Sequence, residues 1–178
     1  YLPEIIAFKR SMINMRYNKI RKMDIADGPG VRVSIFMQGC TFNCKNCFNP
    51  ETHDFNGGKE FTDSTINRVL ELCENENIEG LSILGGEPMN PKNIEGTTKL
   101  AKAFKQKFPD KNLWAWSGFR FDKELKDKEV VKYLDVLVDG QYMDDLHNPT
   151  LKWKGSSNQR VINVQESLKK NEVILMQS

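Results

Sequence analysis

The sequence predicts an α/β domain with a parallel sheet, and three observations carry that prediction. Short runs rich in β-branched and aromatic residues alternate with stretches whose apolar residues recur at helical spacing, the pattern of βα units. The chain has 178 residues, the size of one domain of about 100–200 residues. The chemically distinctive residues each fall just after a strand-like run, where ligands sit in parallel sheets.

Residues 1–14 open without methionine and read as a poorly specified leader, with the organised domain, 15–178, starting near Met15. The first strand-like run is Val31-Arg32-Val33-Ser34-Ile35-Phe36-Met37, which alternates imperfectly and stops at Gly39. Thr62 is a candidate cap for a helix whose apolar residues Ile66, Val69, Leu70 and Cys73 fall at i, i+3, i+4 and i+7. Leu81-Ser82-Ile83-Leu84 is a short buried-type strand closed by Gly85-Gly86. Ile94, Leu100, Ala101, Phe104 and Phe108 mark a second amphipathic helix that stops at Pro109. Leu113-Trp114-Ala115-Trp116 is a third strand, followed by a helical stretch rich in Lys, Glu and Asp. Val136-Leu137-Val138 ends at Asp139-Gly140, and Arg160-Val161-Ile162-Asn163-Val164 closes the series. Cys40, Gly85, Ser117 and Asp139 therefore stand at strand ends and are expected to share one site.

With 39% hydrophobic and 28% charged residues the chain has the composition of a globular protein, not a disordered one. Its net charge is only +2, with lysines interleaved among Glu and Asp, which gives nucleic-acid or membrane binding little support. Lys99, Lys102, Lys105, Lys107 and Lys111 read as a solvated helix face, with a docking patch for an acidic partner as the alternative. No apolar run approaches the roughly 20 residues that span a bilayer, and the opening residues lack a secretory pattern, so the cytoplasm is expected. Four cysteines, three of them within eight residues, argue against a disulfide framework.

Cys40, Cys44 and Cys47, spaced C-x3-C-x2-C, are the most informative residues. Three thiolates can hold three irons of a cubane [4Fe–4S] cluster and leave the fourth iron open to a small molecule. Full cysteine ligation would suit electron transfer alone. A zinc site with His53 as fourth ligand is the alternative, yet zinc motifs pair their ligands in two knuckles and no second knuckle follows. Cys73 competes for the fourth iron, but it lies on the apolar stripe of its own helix and fits an ordinary buried thiol. His53 and His147 are isolated in loops and receive no role. Gly85-Gly86-Glu87-Pro88 provides a backbone that a ligand can approach closely, and Glu87 or its neighbouring carbonyls can accept from an ammonium group. Trp114 and Trp116 share one strand face and fit core packing better than a ligand role.

Together, Gly39-Cys40-Thr41-Phe42-Asn43-Cys44-Lys45-Asn46-Cys47 and Gly85-Gly86-Glu87-Pro88 resemble the radical S-adenosylmethionine (SAM) superfamily. Asp27-Gly28-Pro29-Gly30-Val31-Arg32 resembles the loop of its glycyl-radical-enzyme activases. The stretches Trp114–Phe119, Val138–Tyr142 and Trp153–Arg160 resemble the activases that serve anaerobic ribonucleoside-triphosphate reductase. The similarity runs from Met15 to Val164 with the motifs in the family's order. Many superfamily members carry an aromatic residue just before the last cysteine. Here that position is Asn46 and the aromatic is Phe48, a shift these activases share.

The resemblance implies an open, incomplete TIM-like barrel of about six βα units, because a full eight-unit barrel takes about 250 residues. It implies a [4Fe–4S] cluster on Cys40, Cys44 and Cys47, and SAM with its nucleoside bordered by Asn46, Cys47 and Phe48. Gly85, Gly86 and Glu87 would hold the methionyl amine. Asp27, Gly28, Pro29, Gly30 and Arg32 would meet the glycine loop of the reductase, with reduced flavodoxin or ferredoxin as electron donor. Ser156, Ser157, Asn158, Gln159 and Arg160 would line the SAM pocket or order their own loop. A small radical SAM enzyme acting on a purine-like molecule and a zinc-binding interaction module are the rival functions.

Overall fold

A strand's two-residue repeat sends alternate side chains to opposite faces. In β2 (Arg32–Gln38), Val33, Ile35 and Met37 join one buried apolar layer, whereas Arg32, Ser34 and Phe36 take the other face. The computed structural model describes residues 14–177, so the expected leader lies outside the described residues except for the exposed Asn14. Met15 is already buried.

One seven-stranded sheet runs through the described residues in the order β3-β1-β2-β4-β5-β6-β7. β2, β4 (Gly80–Gly85), β5 (Asn112–Ser117) and β6 (Val136–Asp139) are parallel to one another. β1 (Arg16–Asp24) and the short β3 (Lys59–Glu60) extend one edge, and β7 (Arg160–Asn163) the other, all antiparallel to their neighbours. α1 (Asp63–Cys73) and α2 (Ile94–Lys107) cover one face, where Ile66, Val69, Leu100, Ala101 and Phe104 pack on Val33, Ile35, Leu81, Ile83 and Leu113. The start of α1 matches the expected cap, with the Thr62 N–H donating to Thr65 Oγ1 at 3.0 Å. Opposite, Trp114, Val136 and Val138 form a smaller cluster with Trp116, Trp153 and Val161.

The sheet is mixed, not wholly parallel as expected, and the difference has a simple cause. From β6 the chain stays in loops and one short turn, Asp144–Leu146, until β7. A parallel return usually runs through a crossover helix, and residues 140–159 form no α-helix. The loop instead brings β7 straight back down beside β6. The helical stretch expected after β5 is also broken, into turns at Phe121–Leu125 and Glu129–Tyr133. Its apolar anchors Phe121 and Leu125 lie four apart, but the next, Val130, comes five further on and leaves the helical face. β1 and α3 (Val164–Lys170) escaped sequence reading, since Arg16–Asp24 is largely polar and forms a strand by pairing with the edge of β2.

Arg32 stands out among the buried residues of the parallel strands. It is fully buried, donating from Nε to Ser82 Oγ at 2.7 Å, from Nη1 to the Pro29 carbonyl at 3.1 Å and from Nη2 to the Leu81 carbonyl at 3.0 Å. A Cβ on Gly28 would fall 2.8 Å from Nε, so the glycine there makes room for the guanidinium. The expected contact of Arg32 with a partner is corrected accordingly: its donors brace the 27–30 loop against β4 from inside. Burial pushes its pKa down to about 10, which leaves it a cation at neutral pH. Replacing Arg32 with methionine should cost about 3 kcal/mol, since charge-assisted bonds are each worth about 1.5–3 kcal/mol and leave buried acceptors behind. Urea unfolding reads this directly, and an unchanged midpoint would refute the bracing role.

Candidate functional site

The cysteine loop begins where β2 ends. Gly39, at φ +103°, donates from its N–H to the Thr52 carbonyl at 2.7 Å, and the Cys40 N–H donates to the His53 carbonyl at 3.2 Å. A Cβ at position 39 would lie 2.2 Å from the Phe55 ring, so only glycine fits this close approach. Gln38, buried beneath, donates to the carbonyls of Glu51 and Asp54. These bonds cinch residues 40–52 into a closed loop. Within it Asn43 and Asn46, each just before a cysteine, take left-handed φ values of 51° and 55°. Asparagine tolerates that region better than most residues.

All three loop cysteines are half-buried and border one cavity of about 510 Å³. That lies within the range of about 300–1,000 Å³ typical of small-molecule sites. Gly85, Gly86, Ser117 and Gly140 also border it, so three of the four expected strand-end residues converge on one space. Asp139 is the exception. It is fully buried, and its carboxylate is occupied by Arg160 at 2.6 and 2.9 Å and by the Phe121 N–H at 2.7 Å.

Burial pushes the Cys40 and Cys47 thiols up, while N–H groups of Phe42 and Asn49 pull the other way. Coordination to iron removes that proton and supplies the missing positive charge, so the donor set fits a cluster. Cys73 is buried at the end of α1 in the main core, its thiol pushed up to about 12 by burial, and it does not border the cavity. Among the described residues no three His, Cys, Asp or Glu side chains gather closely enough to hold one metal ion.

Glu87 reaches the cavity wall but is 1% exposed. Its Oε1 accepts from Ser117 Oγ at 2.6 Å and the Met89 N–H at 3.0 Å, and its Oε2 from the Gly118 N–H at 2.7 Å. Asn93 donates to the carbonyls of Gln38 and Glu87 nearby. The carboxyl thus ties β4 to β5 beside the cysteine loop. Burial raises the Glu87 pKa to about 7, against the three bonds that lower it.

Asp27 borders the cavity and Asp24 stands beside it, with Arg21 Nη1 at 3.7 Å from a carboxylate oxygen of each. Asp24 accepts from Ser34 Oγ and the Ala26 and Asp27 N–H groups. Asp27 is pushed up to about 7 by burial and by its neighbour Asp24. Of the expected partner loop only Asp27 borders the cavity; Gly28, Pro29, Gly30 and Arg32 do not.

Asn46 is likewise not in the cavity wall. It is exposed, and its amide donates to Asp144 Oδ2 at 2.9 Å. Phe48 does border the cavity, its ring 5.0 Å from Tyr142 and 5.8 Å from His147. Both histidines left without a role line this space too, as does Trp116, while Trp114 packs in the core as expected. Nothing in local sequence signals these placements, because the cavity is assembled by loops far apart in the chain. The polar set before β7 mainly orders its own loop, although Gln159 also reaches the cavity.

A family model described as a 4Fe-4S single cluster domain matches residues 26–162. A protein of Enterobacteria phage T4 named anaerobic ribonucleoside-triphosphate reductase-activating protein is 38% identical over 148 residues, covering 83% of this chain and 93% of that one. The chain belongs to the anaerobic ribonucleoside-triphosphate reductase-activating protein family. Members of the same name from Escherichia coli (strain K12) and Vibrio cholerae are each 35% identical, over 150 and 149 residues, and this chain covers 97% and 96% of their lengths. The 4Fe-4S match takes in all three loop cysteines, the Gly85–Gly86 strand end and Glu87, the residues that build the cavity wall in this family member. No helix among the described residues is long and apolar enough to cross a membrane.

Proposed function

We propose that the chain is a radical SAM activase that generates a glycyl radical on an anaerobic ribonucleoside-triphosphate reductase. The observation that carries this reading is that three half-buried thiols of one loop and the open backbone at Gly85–Gly86 border a single cavity. The names of the relatives support the choice of partner. With cluster and SAM bound, one electron from a reduced flavodoxin or ferredoxin would split the S–C5′ bond to methionine and a 5′-deoxyadenosyl radical, which takes a hydrogen atom from a glycine Cα.

The chain's own residues bind, orient and exclude water. Cys40, Cys44 and Cys47 hold three irons. The carbonyls of Gly85 and Gly86 accept from the methionyl ammonium, and Phe48 borders the nucleoside. Asp27, its pKa pushed up to about 7, can in its protonated form donate to a backbone carbonyl of the incoming glycine segment without adding charge. The sheet is the wall of an open barrel whose lateral gap admits a protein segment, and the reaction takes place in the cytoplasm. Much of the rate comes from holding the reacting atoms together.

Oxygen-free reconstitution with iron and sulfide, followed by a dithionite-driven assay for 5′-deoxyadenosine, tests the reading. Adding the reductase should then give the electron paramagnetic resonance (EPR) doublet of a glycyl radical. A reconstituted protein that reduces its cluster but leaves SAM intact would sink it.

A further inference from the structure

Between β6 and β7 a segment passes beside the cysteine loop, and its bonds follow a pattern that the proposed chemistry does not use. Asn158 Nδ2 donates to the Gln141 carbonyl at 2.8 Å and Gln159 Nε2 to the Gly140 carbonyl at 3.0 Å. Gln159 Oε1 in turn accepts from the N–H groups of Gly155 and Ser156. Three residues further along, Asp144 accepts from Asn46 Nδ2 at 2.9 Å and from the Tyr142 hydroxyl at 3.2 Å, with Lys45 Nζ 4.0 Å away. The segment is therefore a strap, fastened to the loop before β7 at one end and to the cysteine loop at the other. At the first of these fastenings, Gln141 Nε2 donates to Cys44 Sγ across 3.5 Å.

The geometry points to Gln141 as the residue that tunes the reduction potential of the cluster, through this bond to the sulfur of Cys44. The inference rests on the proposed cluster and goes beyond it. Hydrogen bonds to ligand sulfurs are among the levers that set iron–sulfur potentials. One electron passes from the external reductant to the cluster, with no bond made or broken and no proton taken up. The added negative charge is partly carried by the thiolate sulfurs, and a donor aimed at one of them stabilises the reduced state more than the oxidised. A neutral amide does this without adding a charge of its own. Gln141 is exposed, so a free side chain would lose much of this bond to rotamer entropy and water. The bonds to the carbonyls of Gly140 and Gln141 hold its backbone in place, which gives the polar residues before β7 a purpose. Asn46 serves the same strap from the other side.

EPR-monitored redox titration of reconstituted protein tests this, using wild type, Gln141→Leu, Gln141→Glu and Asn158→Ala, each checked for iron content. Gln141→Leu should lower the reduced-to-oxidised ratio at a fixed potential roughly threefold, a shift of about 28 mV to more negative potential for a one-electron couple. Gln141→Glu, which removes the donor and adds negative charge, should shift further. Asn158→Ala leaves the donor in place but frees its backbone, and should shift less in the same direction. Equal midpoints for wild type and both Gln141 variants at equal iron content would overturn the inference while leaving the functional reading intact. A wild type that takes up no cluster would overturn both.

Discussion

Serine in place of Cys40, Cys44 or Cys47 should each reduce 5′-deoxyadenosine formation to background, whereas Cys73→Ala should leave it unchanged. The three loop thiols come from one cinched segment and face one cavity, so losing any of them strips an iron corner that no neighbour can supply. Cys73 sits in the core at the end of α1, buried and with its thiol pushed up to about 12, the state of an inert hydrophobic residue. Its truncation should cost only about 1 kcal/mol in stability. Iron and sulfide analysis of the four variants, beside product assays, reads both parts. Loss of cluster in Cys73→Ala with retention in Cys44→Ser would reverse the assignment.

Removing the Glu87 side chain should be the most damaging single change to stability near the site. Glu87→Ala leaves Ser117 Oγ and the N–H groups of Met89 and Gly118 without their buried acceptor. Each unmatched donor costs about 1–3 kcal/mol, so a total loss of about 3 kcal/mol or more is expected. That corresponds to a fall of roughly 10 °C in melting temperature for a domain of this size.

The same carboxyl gives a pH signature. Its folded pKa of about 7 lies above the ordinary 4.5, so between those values the native state keeps a proton that the unfolded chain has lost. Stability must then fall as pH rises from about 4.5 through 7 and level off above, by about 3 kcal/mol in all. Asp27 titrates in the same range and adds in the same direction. The difference between the stability curves of wild type and Glu87→Gln therefore isolates Glu87. Parallel curves would mean that the carboxyl is not buried as described.

Much of this was legible in the sequence because it depends on local chemistry. The strand runs Val31–Met37 and Leu81–Leu84 and the apolar stripes of α1 and α2 are periodic patterns, and they form β2, β4, α1 and α2 to within a residue or two. The cysteine spacing and the double glycine after β4 are equally local. Arg32 shows where such reading stops: an arginine beside a glycine-rich loop looks exposed until β4 and Trp114 close over it. Asn46 shows the reverse, since nothing in its neighbours announces the carboxylate of Asp144, 98 positions away.

By itself, then, the chain's order of residues determined the class of chemistry: three thiols on one short loop, a glycine-opened strand end, and helices with one apolar side each. Those properties depend on side-chain type and near-neighbour spacing, which folding does not alter. The long-range pairings had to come from three dimensions. The direction of β7, the burial of Glu87 and Arg32, and the strap that places Gln141 against Cys44 each depend on groups brought together from distant segments. Packing and hydrogen bonding act through space, so their outcome at those residues appears only once the sheet has assembled.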